Sequence, residues 1–295
     1  MLGYVTYGEA HPGPPILIAH GLFGSARNWG AIARRLAEDR CVVTPDMRNH
    51  GDSPWHPTHG YPDLAADLAE VIGAVGAPAD VVGHSMGGKA AMMLALTAPH
   101  LVRRLIVADI APVVYAHSQS HLIDAMDRLD LSGVVTRGEA DRRLAAAVPD
   151  DSTRAFLLQS LDLKADPPRW RLNLAVLRAE MDRITGWPGS AGRFQGPVLF
   201  LSGALSRYMQ PEFREPIKAL FPNAKFAKIP GANHWLHAEK PREFEASVRA
   251  FLGASGLLSA PFIIRPIRRF VKRSWLYGAP RMCRKMSSIS TVLPT

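Results

Sequence analysis

Two cysteines in 295 residues, Cys41 in an apolar run and Cys283 in a basic stretch, are too few and too scattered for a disulfide framework. That scarcity suits a reducing compartment. The first residues offer neither the basic start nor the apolar stretch of a secretory signal, and no continuous apolar run reaches about 18 residues. A cytoplasmic protein without a membrane-spanning helix is expected. Acidic residues are absent after Leu252, where eight arginines and lysines fall, so the first 252 residues hold the other 27 basic side chains against all 26 acidic ones. The net charge of +9 is therefore a property of the tail, not of a folded surface, and no nucleic-acid partner is expected.

What is present is a chain with 47% hydrophobic and 21% charged residues, able to bury a large core. Short apolar runs bounded by turn residues recur: PILIAHG (15–21), CVVTPD (41–46), DVVGHS (80–85), RLIVADI (104–110), PVLFLSG (197–203) and AKFAKIPG (224–231). Strands buried on both faces read this way, and the helical patterns between them predict an α/β fold with a mostly parallel central sheet flanked by helices. From Pro112 to about Gly196 the strand signal stops. Amphipathic stretches at 120–129, 150–161 and 171–184 replace it, predicting a helical cap inserted after the strand that ends at Asp109. The expected organisation is a core of 1–112 and 196–252, a cap of 113–195 and a basic tail of 253–295. As a helix the tail would be basic and amphipathic, interrupted by Pro266, and suited to weak contact with an anionic membrane surface; as coil it would be disordered.

The segment VVGHSMGGKAA (81–91) carries two incompatible motifs. Gly83, Gly88 and Lys89 nearly complete a phosphate-binding loop, while Gly83, Ser85 and Gly87 form G-x-S-x-G, the elbow that presents a nucleophilic serine between a strand and a helix. The first fails where a magnesium-binding hydroxyl is required, because position 90 is alanine. The elbow uses every small residue in the segment.

A serine hydroxyl needs an imidazole to take its proton, and in this type of fold the histidine comes last in the chain. Of eleven histidines, His234 and His237 lie beyond the last predicted strand. His234 follows the strand end directly and is the candidate base; His237 is expected to be structural. The oxyanion of a tetrahedral intermediate needs two backbone N–H donors, one from Met86 after the nucleophile and one from HGLFGS (20–25). Leu22 is the expected second donor, with Phe23 in reserve. The orienting acid is less obvious, since the usual position after PVLFLSG holds Ser206 and no acid occurs between Gly203 and Pro211. Asp109, at the end of the strand beside the nucleophile strand, can reach the same imidazole.

Together HGLFGS, DMRNHGDSP (46–54), GHSMGGKAAM (83–92), ADIAPV (108–113) and HWLHAEKP (234–241) resemble the YbfF-type esterases of the α/β-hydrolase superfamily over residues 1 to 252. The resemblance implies an eight-strand-type core with a helical lid, hydrolysing carboxylic esters and acyl thioesters, acyl-CoA among them. It also implies a triad acid at the position of Asp109. Asn233 departs from the glycine often found before the histidine in that family.

Phe23, Trp170, Asn173 and Trp235 are candidate pocket residues, although an aromatic at helical spacing, such as Trp170, is as readily core. Arg48, His50 and Asp52 are expected to fix a turn beside the site, and Lys89 to brace the loop after Asp46. No His/Cys/Asp cluster has metal-ligand spacing, and neither metal nor cofactor is expected. The expected partner is a small-molecule ester or thioester. A binding module that keeps the fold without turnover, and a C–C bond hydrolase or perhydrolase, share these features.

Overall fold

The six apolar runs become strands of one sheet in a computed structural model that describes residues 1–253 except Ala10. The expectations for the tail beyond Gly253 lie outside the described residues. In chain order the main elements of the first half are β1 (Tyr4–Tyr7), β2 (Ile16–Ala19), α1 (Ala26–Leu36), β3 (Val42–Pro45), α2 (Tyr61–Val75), β4 (Ala79–His84), α3 (Met86–Thr97) and β5 (Val102–Ala108). A helical stretch follows: α4 (Ser120–Asp127), α5 (Arg137–Leu144), α6 (Asp151–Leu157), a small hairpin of β6 (Leu161–Asp162) and β7 (Arg169–Trp170), then α7 (Leu174–Ala179) and α8 (Met181–Thr185). The chain then resumes the sheet with β8 (Val198–Gly203), α9 (Arg214–Leu220) and β9 (Ala224–Ile229), and closes with α10 (Leu236–Glu239) and α11 (Pro241–Gly253).

The main sheet runs β1-β3-β2-β4-β5-β8-β9, parallel except for β1. The fold class read from the sequence is thus borne out, with seven strands described where the resemblance implied eight. β1 escaped the sequence reading because YVTY alternates polar and apolar residues on a half-buried edge, lacking the continuous apolar character of the inner strands. Successive strand side chains alternate between faces. Leu17, Val81, Leu105 and Val107 join a core with α2 and α3, whereas Ile16, Ile18, Val82 and Ile106 join a second core with α1 and α11. With both faces covered, β4 and β5 sit mid-sheet and their carboxyl ends form a firm edge for the site.

Between β5 and β8 the chain is mostly helical, with two departures from the expectation: the β6–β7 hairpin and a break in the last amphipathic stretch. The stretch 171–184 is not a single helix, because Asn173 caps α7 and the chain turns again at Glu180 before α8. α5 was not foreseen, being mostly polar; its start is fixed by Thr136, whose hydroxyl accepts from the Glu139 N–H at 3.2 Å.

Candidate active site

β4 ends at His84, α3 begins at Met86, and Ser85 between them takes φ 52° and ψ −120°. For a serine this is a strained, positive-φ backbone that persists only when its surroundings impose it. Two glycines make the turn possible: a Cβ on Gly83 would press into the Gly87 carbonyl, and one on Gly87 into the carbonyls of Ala19 and His20. The Ser85 N–H donates to Ala108 O at 3.0 Å, tying the elbow to β5. Asp109 follows directly, also at positive φ (56°), with its N–H donating to Leu201 O at 2.9 Å. Neighbouring strands therefore deliver serine and acid side by side.

His234 arrives from the loop after β9. Its Nδ1 lies 2.7 Å from Asp109 Oδ2 and its Nε2 lies 3.1 Å from Ser85 Oγ. A carboxylate can only accept, so Nδ1 carries the proton and Nε2 turns its lone pair to the serine. Asp109 is fully buried, and its second oxygen accepts the Gly203 N–H at 3.1 Å. Ser206 Oγ also donates to Asp109 Oδ2 while accepting the Tyr208 N–H at 3.1 Å. Where an acid is missing from the sequence, a hydroxyl steadies the acid supplied by β5. The Tyr208 ring stacks on His234 at 3.8 Å between centroids. Neither contact was anticipated; the lone signal was that Ser206 occupies the usual acid position.

Around this trio stand neutral, buried histidines. His84 Nε2 donates to the His234 carbonyl at 2.9 Å, and burial drives its pKa well below the ordinary value. His237, expected to be structural, stacks on Trp29 at 4.1 Å, and burial pushes it down to about 3. Burial likewise lowers His20 to about 4, although its Nδ1–H donates to Gly21 O at 2.8 Å while Nε2 accepts the Met47 N–H at 2.9 Å. His50, held near 3 chiefly by burial, donates from Nδ1 to Arg48 O at 2.9 Å and accepts the Phe23 N–H at 3.2 Å. That last bond commits Phe23 elsewhere, and the reserve oxyanion donor is thereby withdrawn. Leu22 and Met86 border the same cavity as Ser85, and Met86 opens α3, where the first N–H groups have no partner within the helix.

The cavity measures about 680 Å³. Phe23 and Trp235 line it as expected, but Trp170 and Asn173 do not. Trp170 is buried and its Nε1–H donates to Met126 O at 2.8 Å, satisfying the indole within the packing of the helical stretch. Asn173 caps α7 and donates to Asn49 Oδ1 at 3.0 Å. Lys89 also departs from expectation, reaching the Val113, Thr185 and Gly186 carbonyls instead of the loop after Asp46. Asp46 itself braces that loop, accepting from the Ala26 N–H at 2.7 Å and the Asp52 N–H at 2.8 Å. Arg48 anchors it further through a buried pair with Asp67 at 2.6 Å, as the turn-fixing role anticipated, whereas the Asp52 side chain pairs outward with Arg171 at 2.6 Å. The Asn233 N–H donates to Glu239 Oε2 at 2.7 Å, which holds the histidine loop without a glycine.

Comparison with known proteins agrees with this fold. Residues 14–241 match the family model described as the alpha/beta hydrolase fold. The chain belongs to the α/β-hydrolase fold family. Within it, the sequence is 40% identical over 249 residues to the mouse (Mus musculus) sn-1-specific diacylglycerol lipase ABHD11, covering 81% of each chain. It is 37% identical over 250 residues to the esterase YbfF of Escherichia coli, covering 84% of this chain and 96% of that one. A solved marine microorganism esterase superposes with a TM-score of 0.80 at 37% identity, over 85% of this chain and 98% of its own. The resemblance to YbfF-type esterases is thus borne out for this α/β hydrolase. No helix among the described residues is long and apolar enough to cross a membrane.

Proposed function

We propose that this α/β hydrolase cleaves carboxylic esters and acyl thioesters through an acyl-enzyme on Ser85, with His234 as general base and acid and Asp109 as its orienting carboxylate. One observation carries the reading: a single imidazole bonded to both Ser85 Oγ and the buried Asp109. His234 Nε2 takes the hydroxyl proton as Oγ bonds to the carbonyl carbon, and the carbonyl's π pair moves onto its oxygen. The Leu22 and Met86 N–H groups stabilise that oxyanion. Collapse of the intermediate breaks the bond to the leaving alkoxide or thiolate, which takes the proton from His234. A water then repeats the sequence, giving its proton to His234 and its oxygen to the acyl carbon, and Ser85 is regenerated.

Asp109 is kept in place by Gly203 and Ser206, so Nδ1 keeps its proton while Nε2 gains and loses one. The helices between residues 113 and 195 act as a cap that encloses the acyl group in the cavity. Relatives named as an esterase and a diacylglycerol lipase accord with an ester substrate held in this cavity. A cytoplasmic setting accords with the scarce cysteines, and the basic tail offers weak contact with anionic membrane surfaces.

The test is hydrolysis of p-nitrophenyl esters from acetate to palmitate, with acyl-CoA thioesters alongside, by the wild type, Ser85→Ala and Asp109→Asn. Activity lost in Ser85→Ala and strongly reduced in Asp109→Asn is the expected result. A wild type inert towards every ester and thioester would turn the interpretation to a non-catalytic binding protein or a C–C bond hydrolase.

A further inference from the structure

Lys89 is nearly fully buried, at 1% exposure, on α3 one turn after Ser85. Its ammonium is satisfied by three backbone carbonyls and by no side chain: Val113 O at 2.8 Å, Thr185 O at 2.9 Å and Gly186 O at 2.6 Å. The first belongs to the chain leaving the sheet after β5, the other two to the last residue of α8 and the one that follows it. Lys89 therefore joins both roots of the helical stretch at one point on the nucleophile helix. The same junction holds the Tyr115 N–H donating to Thr185 O at 3.0 Å and the Tyr61 hydroxyl donating to Ile184 O. The ammonium also lies over the rings of Tyr115 at 4.8 Å and Tyr61 at 5.6 Å.

A buried cation is a costly way to fill space. Burial alone pushes this lysine down to about 7, and a methionine would pack there without that penalty. Its geometry fits a directional task, because three donors on one flexible stem can gather three carbonyls from separated segments. Next to the roots, Tyr115, Leu122 and Ile184 face the cavity.

We propose that Lys89 is a specificity-determining positioning residue, clasping both roots of the helical stretch to the nucleophile helix and so fixing the depth of the acyl pocket above Ser85. In this role it takes no part in proton transfer, its ammonium being engaged by three backbone carbonyls. Loosening the clasp therefore penalises acyl chains long enough to lean on the stretch and spares the chemistry common to all esters.

This inference rests on the proposed ester hydrolysis. The experiment compares kcat and KM for p-nitrophenyl acetate and decanoate in the wild type, Lys89→Met and Lys89→Gln. The methionine removes all three donors; the glutamine keeps two, without charge. The expected result is a decanoate-to-acetate ratio of kcat/KM lowered about tenfold or more in Lys89→Met, carried by a raised KM for decanoate, with a smaller fall in Lys89→Gln. Equal losses for both esters, or an unchanged ratio in the variants that fold, would overturn it. Failure of both variants to fold would make Lys89 a stability residue and overturn it too. A wild type without esterase activity would instead defeat the function on which the inference rests.

Discussion

At the scale of single residues, the proposed chemistry depends on which nitrogen of His234 carries the proton. Asp109 settles this by accepting from Nδ1, and it does so from a fully buried position with Gly203 and Ser206 as further donors. Asp109→Asn presents an amide that cannot serve as the same acceptor in both orientations, and kcat/KM should fall by roughly three to four powers of ten, as in serine hydrolases generally. Ser206→Ala removes one of the donors on the carboxylate, and a drop of about tenfold in kcat with little change in KM is expected in steady-state kinetics. That Ser85, His234 and Asp109 come together could be anticipated from the sequence, because the elbow motif, the strand ends and the chain order place a serine, an imidazole and a carboxylate at one sheet edge. The contacts of Ser206 and Tyr208 with Asp109 and His234 were not legible, since they come from a loop whose path depends on packing and not on periodicity.

At the scale of elements, the turn between β4 and α3 has no spare volume. Gly87→Ala drives a methyl into the carbonyls of Ala19 and His20 at the end of β2, which cannot retreat because β2 is paired on both sides. Overpacking against backbone should cost at least about 2 kcal/mol. The urea midpoint should therefore fall markedly, with loss of activity in whatever remains folded. Parallel strands were easy to find from their unbroken apolar runs, whereas β1, α5 and the break between α7 and α8 were hidden. Those depend on an edge pairing, a threonine cap and a local turn, none of which imposes hydrophobic periodicity. Trp170 illustrates the limit: its spacing allows pocket or core, and only the partner at Met126 decides for core.

At the scale of the whole molecule, buried neutral histidines link stability to pH. His20 is lowered to about 4, and His50 and His237 to about 3, against an ordinary value of 6.5; burial also depresses His59 and His84. Well above pH 6.5, from about pH 8 upward, neither the folded nor the unfolded chain binds protons at these rings, and they leave stability unchanged. As pH falls below 6.5 the unfolded chain takes up protons that the folded chain refuses, so stability declines until the folded values near 3 to 4 are reached. Each ring contributes a slope of up to about 1.4 kcal/mol per pH unit in that window. Urea midpoints should fall only slightly from pH 8 to 7 and drop steadily from about 6 to 4.5. A level midpoint down to 4.5 would mean that these rings are not buried and neutral.

The proposed mechanism requires Ser85 to be the nucleophile. Intact-protein and peptide mass spectrometry after incubation with a fluorophosphonate tests this directly, in the wild type and in Ser85→Ala. A single stoichiometric adduct on the peptide containing Ser85, absent from Ser85→Ala, is the predicted result. An unlabelled wild type, or an adduct on another residue that persists in Ser85→Ala, would contradict it.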